Sequence, residues 1–337
     1  MAITLKPIDQ QVVVVVGCSS GIGRQTARRF AERGARLVLS GRDEQALHEV
    51  LEDVHSLGAE DAIAVQADVA DPAALEEVAR RAREAFGRVD TWVQGAAVSV
   101  YATAEETTPD EFRRVIEVNL LGQIHGALAA LPALREAGGG ALIEISSVEA
   151  EVGLPYQSAY AASKHGMAGF LRSLRMELQA EGAPIAVTQV MPAGIDTPLF
   201  MNARSKLGVL PKPTAPVYDP DVVADQVLWA AQHPSGDLFA GGAGWGVALV
   251  RRLSPGGYEA LMARVGKAAQ RSRIPEGPDA VDNLEAPTPL TDTVRGGFGG
   301  RRFSLSNRIQ RVPGVVRAAA VAAAVAGVML LRRRLAA

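Results

Sequence analysis

The sequence predicts an α/β fold: a doubly wound parallel sheet of about seven strands with helices on both faces, followed by a C-terminal helical extension. Three observations predict it. Five consecutive valines, 12–16, run straight into a glycine-rich turn and then a helix. From there to about residue 245, short apolar runs alternate with helical stretches that carry their own start signals. Beyond that point the alternation stops and the composition changes.

Gln11 to Val16 has the composition of a buried strand. Gly17-Cys-Ser-Ser-Gly-Ile-Gly23 follows at once, Arg24 to Arg33 reads as a helix stopped by Gly34, and Ala35 to Ser40 is a second strand. In such a βαβ unit the glycines let the backbone approach a pyrophosphate, while the helix N-terminus offers it free N–H groups. Gly17, Ser19, Ser20, Gly21, Ile22 and Gly23 are therefore expected to line a nucleotide-phosphate site. Cys18 lies in the same turn and reads as a small residue filling it, without a function of its own.

Asp43 to Leu57 is helical, and Ala62 to Gln66 is a strand that leads into Asp68-Val69. Asp71-Pro72 supplies an N-cap and a first-turn proline for the helix to Phe86. Val89 to Val93 is the fourth strand, and Thr108-Pro-Asp-Glu111 is a capping box opening the helix that carries Asn119. Ala141 to Ile145 and Ile185 to Val190 are strands flanking a long helix that begins near Tyr160 and runs to about Ala180. Pro220 to His233 is a helix preceding a short strand near Asp237 to Ala240.

Tyr160 and Lys164 are four apart on that long helix, so phenol and ammonium share a face about one turn apart. A fixed cation favours the phenolate, so the Tyr160 pKa is expected to fall toward the working range. Ser147 follows an apolar run, which places its hydroxyl at the sheet's C-terminal edge. A hydroxyl donor beside a tuned phenol suits proton exchange with a carbonyl or alcohol oxygen.

Composition bounds the rest. The chain is 48% hydrophobic and 21% charged over 337 residues, room for one large α/β domain with appendages. A single cysteine excludes an internal disulfide framework and points to a reducing, cytoplasmic compartment, and the first residues lack the apolar stretch of a secretory signal. The five histidines, at 48, 55, 125, 165 and 233, lack metal-ligand spacing, so no metal is expected. A net charge of −2 hides an asymmetry: from Arg295 onward there are nine arginines and no acid, which leaves 26 basic and 37 acidic residues in the body. The expected organisation is a catalytic domain over 1–245, a helical extension over 246–274 with two helices broken at Ser254-Pro-Gly-Gly257, a flexible basic linker over 275–312, and an apolar, arginine-flanked tail helix over 313–337.

In the tail, fourteen almost wholly apolar residues, 318–331, precede Arg332-Arg-Arg334. That is short of the roughly 20 residues of a spanning helix. Membrane contact, with the arginines on anionic headgroups at the inner face, is the favoured reading. Packing on a partner subunit and a loosely ordered end remain alternatives. Nucleic-acid binding is not expected, because the basic residues lack interleaved aromatics apart from Phe298 and Phe303.

Taken together, the residues resemble the short-chain dehydrogenase/reductase family, in its single-domain, Rossmann-type branch, over roughly residues 8 to 245. The motifs stand in the family's order: Gly17-x-x-x-Gly21-x-Gly23, Asp68-Val69, Asn119, Ser147, Tyr160-x-x-x-Lys164 and Pro192-x-Gly194-x-x-Thr197. The resemblance implies that Tyr160 is the acid in reduction and the base in oxidation, and that Ser147 holds the substrate oxygen. It implies that Lys164 binds the nicotinamide ribose and lowers the Tyr160 pKa, and that Asn119 bridges Lys164 to a proton-relaying water chain. It implies hydride transfer between nicotinamide and substrate carbon, cofactor contacts from Asp68, Val69, Pro192, Gly194 and Thr197, and a homo-oligomer. Three positions depart from the family pattern. Val16 stands where the family has Thr, Gln94-Gly95-Ala96-Ala97 stands for Asn-Asn-Ala-Gly, and Ala193 replaces a frequent glycine. The second of these puts Gln94's share in cofactor binding in doubt.

The end of the second strand selects the cofactor. Relatives that prefer NAD carry an acid there. Here Ser40-Gly41-Arg42 offers no carboxylate, and Arg42 can pair with a 2′-phosphate, so NADP is favoured over NAD. Asp43 and Glu44 start the next helix. Selectivity should come from Glu149 to Ser158 and from a lid over Pro198 to Val217. Leu154, Tyr156, Leu199, Phe200, Met201 and Leu207 would form an apolar wall suited to a lipophilic secondary alcohol or ketone. The expectation is an NADP-linked oxidoreductase; the alternatives are an NAD-linked alcohol dehydrogenase and a catalytically silent cofactor-binding scaffold.

Overall fold

The valine run sits at the centre of the molecule because both of its faces are covered. β1, Val12–Val16, is wholly buried, with Val13 and Val15 packed into one hydrophobic core and Val14 and Val16 into another. Alternate side chains of a strand point to opposite faces, so a five-valine run requires a helical layer on each side. Full burial of each valine contributes about 1.5–3 kcal/mol. The computed structural model describes residues 3–59, 61–277, 280–288 and 293–311.

The layers follow in chain order. α1 (Gly21–Ala31), β2 (Arg36–Gly41), α2 (Glu44–Ser56), β3 (Ala62–Gln66), α3 (Pro72–Phe86) and β4 (Thr91–Gln94) form the first half. After a short strand β5 (Val100–Tyr101) come α4 (Pro109–Ile116), a π-helical turn (Glu117–Leu121), α5 (Gly122–Glu136), β6 (Gly140–Ile145), α6 (Ser158–Glu181) and β7 (Ile185–Pro192). Two short strands, β8 (Arg204–Ser205) and β9 (Val209–Pro211), precede α7 (Asp221–Ala230) and β10 (Asp237–Ala240). The main sheet has seven parallel strands in the order β10-β7-β6-β4-β1-β2-β3. The winding reverses at β1, so the crevice between β1 and β4 at their carboxyl ends is the topological switch point where ligands bind in such sheets. α1, α2 and α7 cover one face; α3, α5 and α6 cover the other. This is the doubly wound Rossmann-type architecture.

The start signals act as the sequence predicts. Asp43 caps α2 by accepting from Ala46 N–H at 3.1 Å, Asp71 caps α3 ahead of Pro72, and Thr108 and Glu111 form a reciprocal capping box on α4. One boundary differs: α1 opens at Gly21 rather than Arg24, so Gly21 and Gly23 lie inside its first turn. The span Pro109–Glu136 is long and apolar enough to cross a membrane, but half of its apolar window is buried and α5 lines the core.

Past residue 241, α8 (Gly242–Leu253) and α9 (Pro255–Gln270) are the two expected helices, broken at Ser254. β11 (Arg271–Pro275) then pairs with β9, and α10 (Leu305–Gln310) packs near β10. The stretch expected to be a flexible linker, 275–312, is instead held on the body in its described residues. Leu284 is fully buried in the core, the Arg114 guanidinium donates to the Leu284 carbonyl at 3.0 Å, and Arg295 pairs with Asp219 at 2.8 Å. A Pro- and Gly-rich composition removes regular secondary structure but does not prevent anchoring by one leucine and a few arginines. The tail helix proposed over 313–337 lies outside the described residues.

Candidate active site

The β1–α1 turn shapes the first cavity. Gly17 has φ +79°, and a Cβ there would stand 2.5 Å from Ala96 N; a Cβ on Gly23 would stand 2.0 Å from the Gly17 carbonyl oxygen. Only glycine lets the turn close this tightly and leaves room against its floor. Gly17, Ser19, Ser20, Gly21, Ile22 and Gly23 all line the cavity, as do Arg42 and Val69 from the ends of the next two βα units. Tight glycine backbone, first-turn amides of α1 and a buried apolar floor fit the pyrophosphate and flanking groups of a dinucleotide.

The Gln94-Gly95-Ala96-Ala97 departure resolves cleanly. Gln94 turns away from the cavity under α5, accepting from Trp92 Nε1 at 3.0 Å and donating to the Gly122 carbonyl at 3.1 Å. Gly126 gives it room, since a Cβ there would lie 2.5 Å from Gln94 Oε1. Gly95, Ala96 and Ala97 keep the cavity wall. Asp68, by contrast, is not part of that wall. Its carboxylate accepts from Ala70 N–H at 2.9 Å and from Arg114 at 3.0 Å. Burial pushes its pKa up, but these two partners outweigh it and hold the carboxyl below its ordinary value.

Sequence reasoning missed a third contributor. Asn283 and Pro287 line the dinucleotide cavity from the far end of the chain. Arg42 donates to the Asn283 carbonyl at 2.7 Å and to the Glu285 carbonyl at 3.3 Å, and Gly21 N–H donates to the Thr293 carbonyl at 2.9 Å. No periodicity marks this strap; the lone Leu284 that anchors it is its one sequence signal.

A second cavity adjoins the first, sharing Ile22, Ser146, Tyr160, Thr197 and Leu199 with it. Ser147 enters from the end of β6 and caps a 3-10 turn, Val148–Ala150, its Oγ accepting from Glu149 N–H at 3.1 Å. Tyr160 enters from the first turn of α6 and hydrogen-bonds Ser147; Lys164 lies one turn on, its Nζ 5.4 Å from the Tyr160 ring centroid. Pro192 and Gly194 line this second cavity, whereas Lys164 lines the first. Tyr160 thus stands at the junction between the two.

The electrostatics correct one expectation. The Tyr160 pKa does not fall: burial drives it up, the Glu149 charge adds to that, and the Ser147 hydrogen bond only partly opposes them. Burial also brings Lys164 down to about 8, against the pull of Glu144 and Glu149. The cation is itself desolvated, so it does not offset the desolvation of the phenol. A protonated phenol at neutral pH is set to donate. Cys18 is likewise pushed up to about 12 by burial, its thiol donating to the Ser40 carbonyl at 3.4 Å, so it is a buried turn residue and no thiolate.

Asn119 lies in the π-helical turn, and the structure does not bring its amide to Lys164. Oδ1 accepts from Val98 N–H at 2.9 Å and Nδ2 donates to the Val98 carbonyl at 2.8 Å, so both ends clamp the loop after β4. Among the described residues there is no cluster of three metal-ligating side chains.

A third cavity, about 460 Å³, opens between the body and α8–α9. It shares Val148, Leu154, Ala193, Gly194, Lys212 and Gln270 with the catalytic cavity, and its far wall, with Val247, Met262 and Val265, is apolar. Leu199 and Phe200, expected in an apolar wall, line the catalytic cavity, whereas Leu207 packs against Tyr101 and Ala203 in a separate small core.

Fold and site together define an NAD(P)-dependent oxidoreductase acting between CH–OH and C=O groups. The family model described as short chain dehydrogenase matches residues 11–208, and the chain belongs to that family. It is 38% identical to an uncharacterized oxidoreductase of Bacillus subtilis over 81% of this chain and 77% of that protein. It is 36% identical to dehydrogenase/reductase SDR family member 7B of Bos taurus, over 79% and 84%. Among solved structures, the alcohol dehydrogenase of the archaeon Thermococcus sibiricus, complexed with 5-hydroxy-NADP, superposes with a TM-score of 0.60 at 26% identity, covering 68% of this chain and 95% of that one.

Proposed function

We propose that the protein is an NADP-linked oxidoreductase of lipophilic secondary alcohols and ketones, with Tyr160 as the acid in reduction. The observation that carries this reading is the buried Tyr160–Ser147 pair, standing where the dinucleotide cavity meets a cavity that opens into an apolar one. The bound dinucleotide supplies or accepts the hydride. Ser147 orients the substrate oxygen. Tyr160, kept protonated by burial, gives its proton to the developing alkoxide, and Lys164 holds positive charge beside it. Asn119 is a positioning residue that fixes the Val98 loop.

The absence of an acid at the end of β2, and Arg42 in the cavity wall, support NADP; Asp43 shares that wall, with its carboxylate engaged in capping α2. The neighbouring structure with an NADP analogue is consistent with that reading. The apolar cavity behind the catalytic one supports a lipophilic substrate. Self-association is proposed from the family resemblance. Residues 313–337 are proposed to contact a membrane.

Fluorescence titration with NADPH and NADH tests the cofactor assignment without a known substrate. NADPH should bind at least tenfold tighter, about 1.4 kcal/mol, and Arg42→Ala should abolish the difference. A preference for NADH would overturn the NADP assignment.

A further inference from the structure

Glu149 and Tyr101 are among the polar side chains of the catalytic cavity that hydride transfer does not use. Glu149 stands two residues after Ser147 in the Val148–Ala150 turn, and Tyr101 ends β5. Both line the cavity with Ser147 and Tyr160, and they are only 4% and 2% exposed. Oε2 of Glu149 is buried without a hydrogen-bond partner among the described residues. The two groups are close neighbours: burial first, then the charges of Glu149 and Tyr160, raise the Tyr101 phenol well above its ordinary value. Tyr101's ring is fixed from behind by Phe200, 6.3 Å between centroids.

A carboxyl oxygen withdrawn from water and left unpaired is costly to hold. This one lies in the wall of the cavity where the substrate oxygen must be held, one turn of chain from the serine that holds it. We infer that Glu149, with Tyr101 beside it, recognises a hydroxyl carried by the substrate close to the reacting carbon. The preferred substrates are then α-hydroxy ketones and the matching vicinal diols, with the apolar remainder of the molecule in the cavity under α8–α9. The inference rests on the oxidoreductase reading of the same site.

The chemistry is complementary. Burial raises the Glu149 carboxyl to about 8, so near neutrality it is largely protonated and can both donate and accept, as a hydroxyl does. A site built to bond a substrate hydroxyl rejects the analogue that lacks it, because the site's own buried groups are then left unpaired. Gln157, also in this wall, is held by Gln270 at 2.6 Å, whereas Glu149 keeps one buried oxygen free.

The test compares NADPH-dependent reduction of acetophenone and α-hydroxyacetophenone by the wild-type chain, Glu149→Leu, Glu149→Gln and Tyr101→Phe. The wild type should favour the hydroxy ketone in kcat/KM by about tenfold or more. Glu149→Leu should bring that ratio close to one, chiefly through KM for the hydroxy ketone, and Glu149→Gln should retain most of it. Tyr101→Phe keeps the ring that packs on Phe200 and should lower the same ratio, which preserves the test should Glu149→Leu not fold. A ratio near one in the wild type, or one that Glu149→Leu and Tyr101→Phe leave untouched, would overturn the inference, as would equal losses on both ketones. If the wild type binds NADPH yet reduces neither ketone, the proposed lipophilic-ketone substrate falls and the Glu149 inference that rests on it falls too, a result distinct from failure of Glu149 alone.

Discussion

Replacing Glu149 by glutamine is expected to change how stability depends on pH. Burial lifts this carboxyl from 4.5 to about 8. Between those values the folded chain keeps a proton that the unfolded chain has released, so stability falls as the pH rises. At about 1.4 kcal/mol per pH unit for one proton, the interval from about pH 5 to about pH 8 removes on the order of 4 kcal/mol. Lys164 acts in the opposite sense. Burial lowers it from 10.5 to about 8, so above about pH 8 the unfolded chain holds the extra proton and stability recovers. Lys164 therefore opposes the loss above about pH 8, whereas Cys18, pushed up to about 12, adds to it above about pH 9. Glu144, buried with neither oxygen partnered, is also raised by burial. It steepens the falling limb in both proteins and cancels from their difference. Urea unfolding at a series of pH values, with wild type and Glu149→Gln side by side, gives the answer. The wild type should lose stability relative to the variant steadily across the interval. A level difference would refute the picture of a carboxyl at 149 that burial keeps protonated.

Two other outcomes follow from the C-terminal third. Leu284→Ala should lower stability by about 2–5 kcal/mol, read by urea or thermal unfolding, because Leu284 is fully buried in the main core; a loss below about 1 kcal/mol would mean that the strap is not anchored there. Deleting 313–337 should move the protein from the membrane fraction to the soluble one on centrifugation, and a full-length protein that is already soluble would end the membrane proposal.

Much of the sheet was legible in the sequence because its signals are local. The valine run, the glycine turn and the Asp71-Pro72 and Thr108–Glu111 caps each act within a few residues. Tyr160, Ser147 and the glycine turn were placed together by motif order, and they do meet around adjoining cavities. What could not be read depends on distance and depth. Arg42 was expected to face a phosphate, and it is also bonded to carbonyls 241 and 243 residues away. The Tyr160 pKa was expected to fall because sequence shows a lysine nearby but not that both groups are out of water. Gln94 was doubtful until the space left by Gly126 showed where its amide goes. The 275–300 stretch looked unstructured because its anchors are single residues without a period.

The strap has a consequence for biosynthesis. The floor of the dinucleotide cleft, the β1–α1 turn, leaves the ribosome well before Asn283 and Pro287, which complete its wall. Synthesis runs from the N-terminus, so the two sides of the cleft emerge at different times. Until the strap emerges the cleft is open on one side, although the last strand of the sheet ends at Ala240. Cofactor that meets the chain at that stage finds an entrance that the finished protein narrows, so loading during synthesis and exchange afterwards should proceed at different rates.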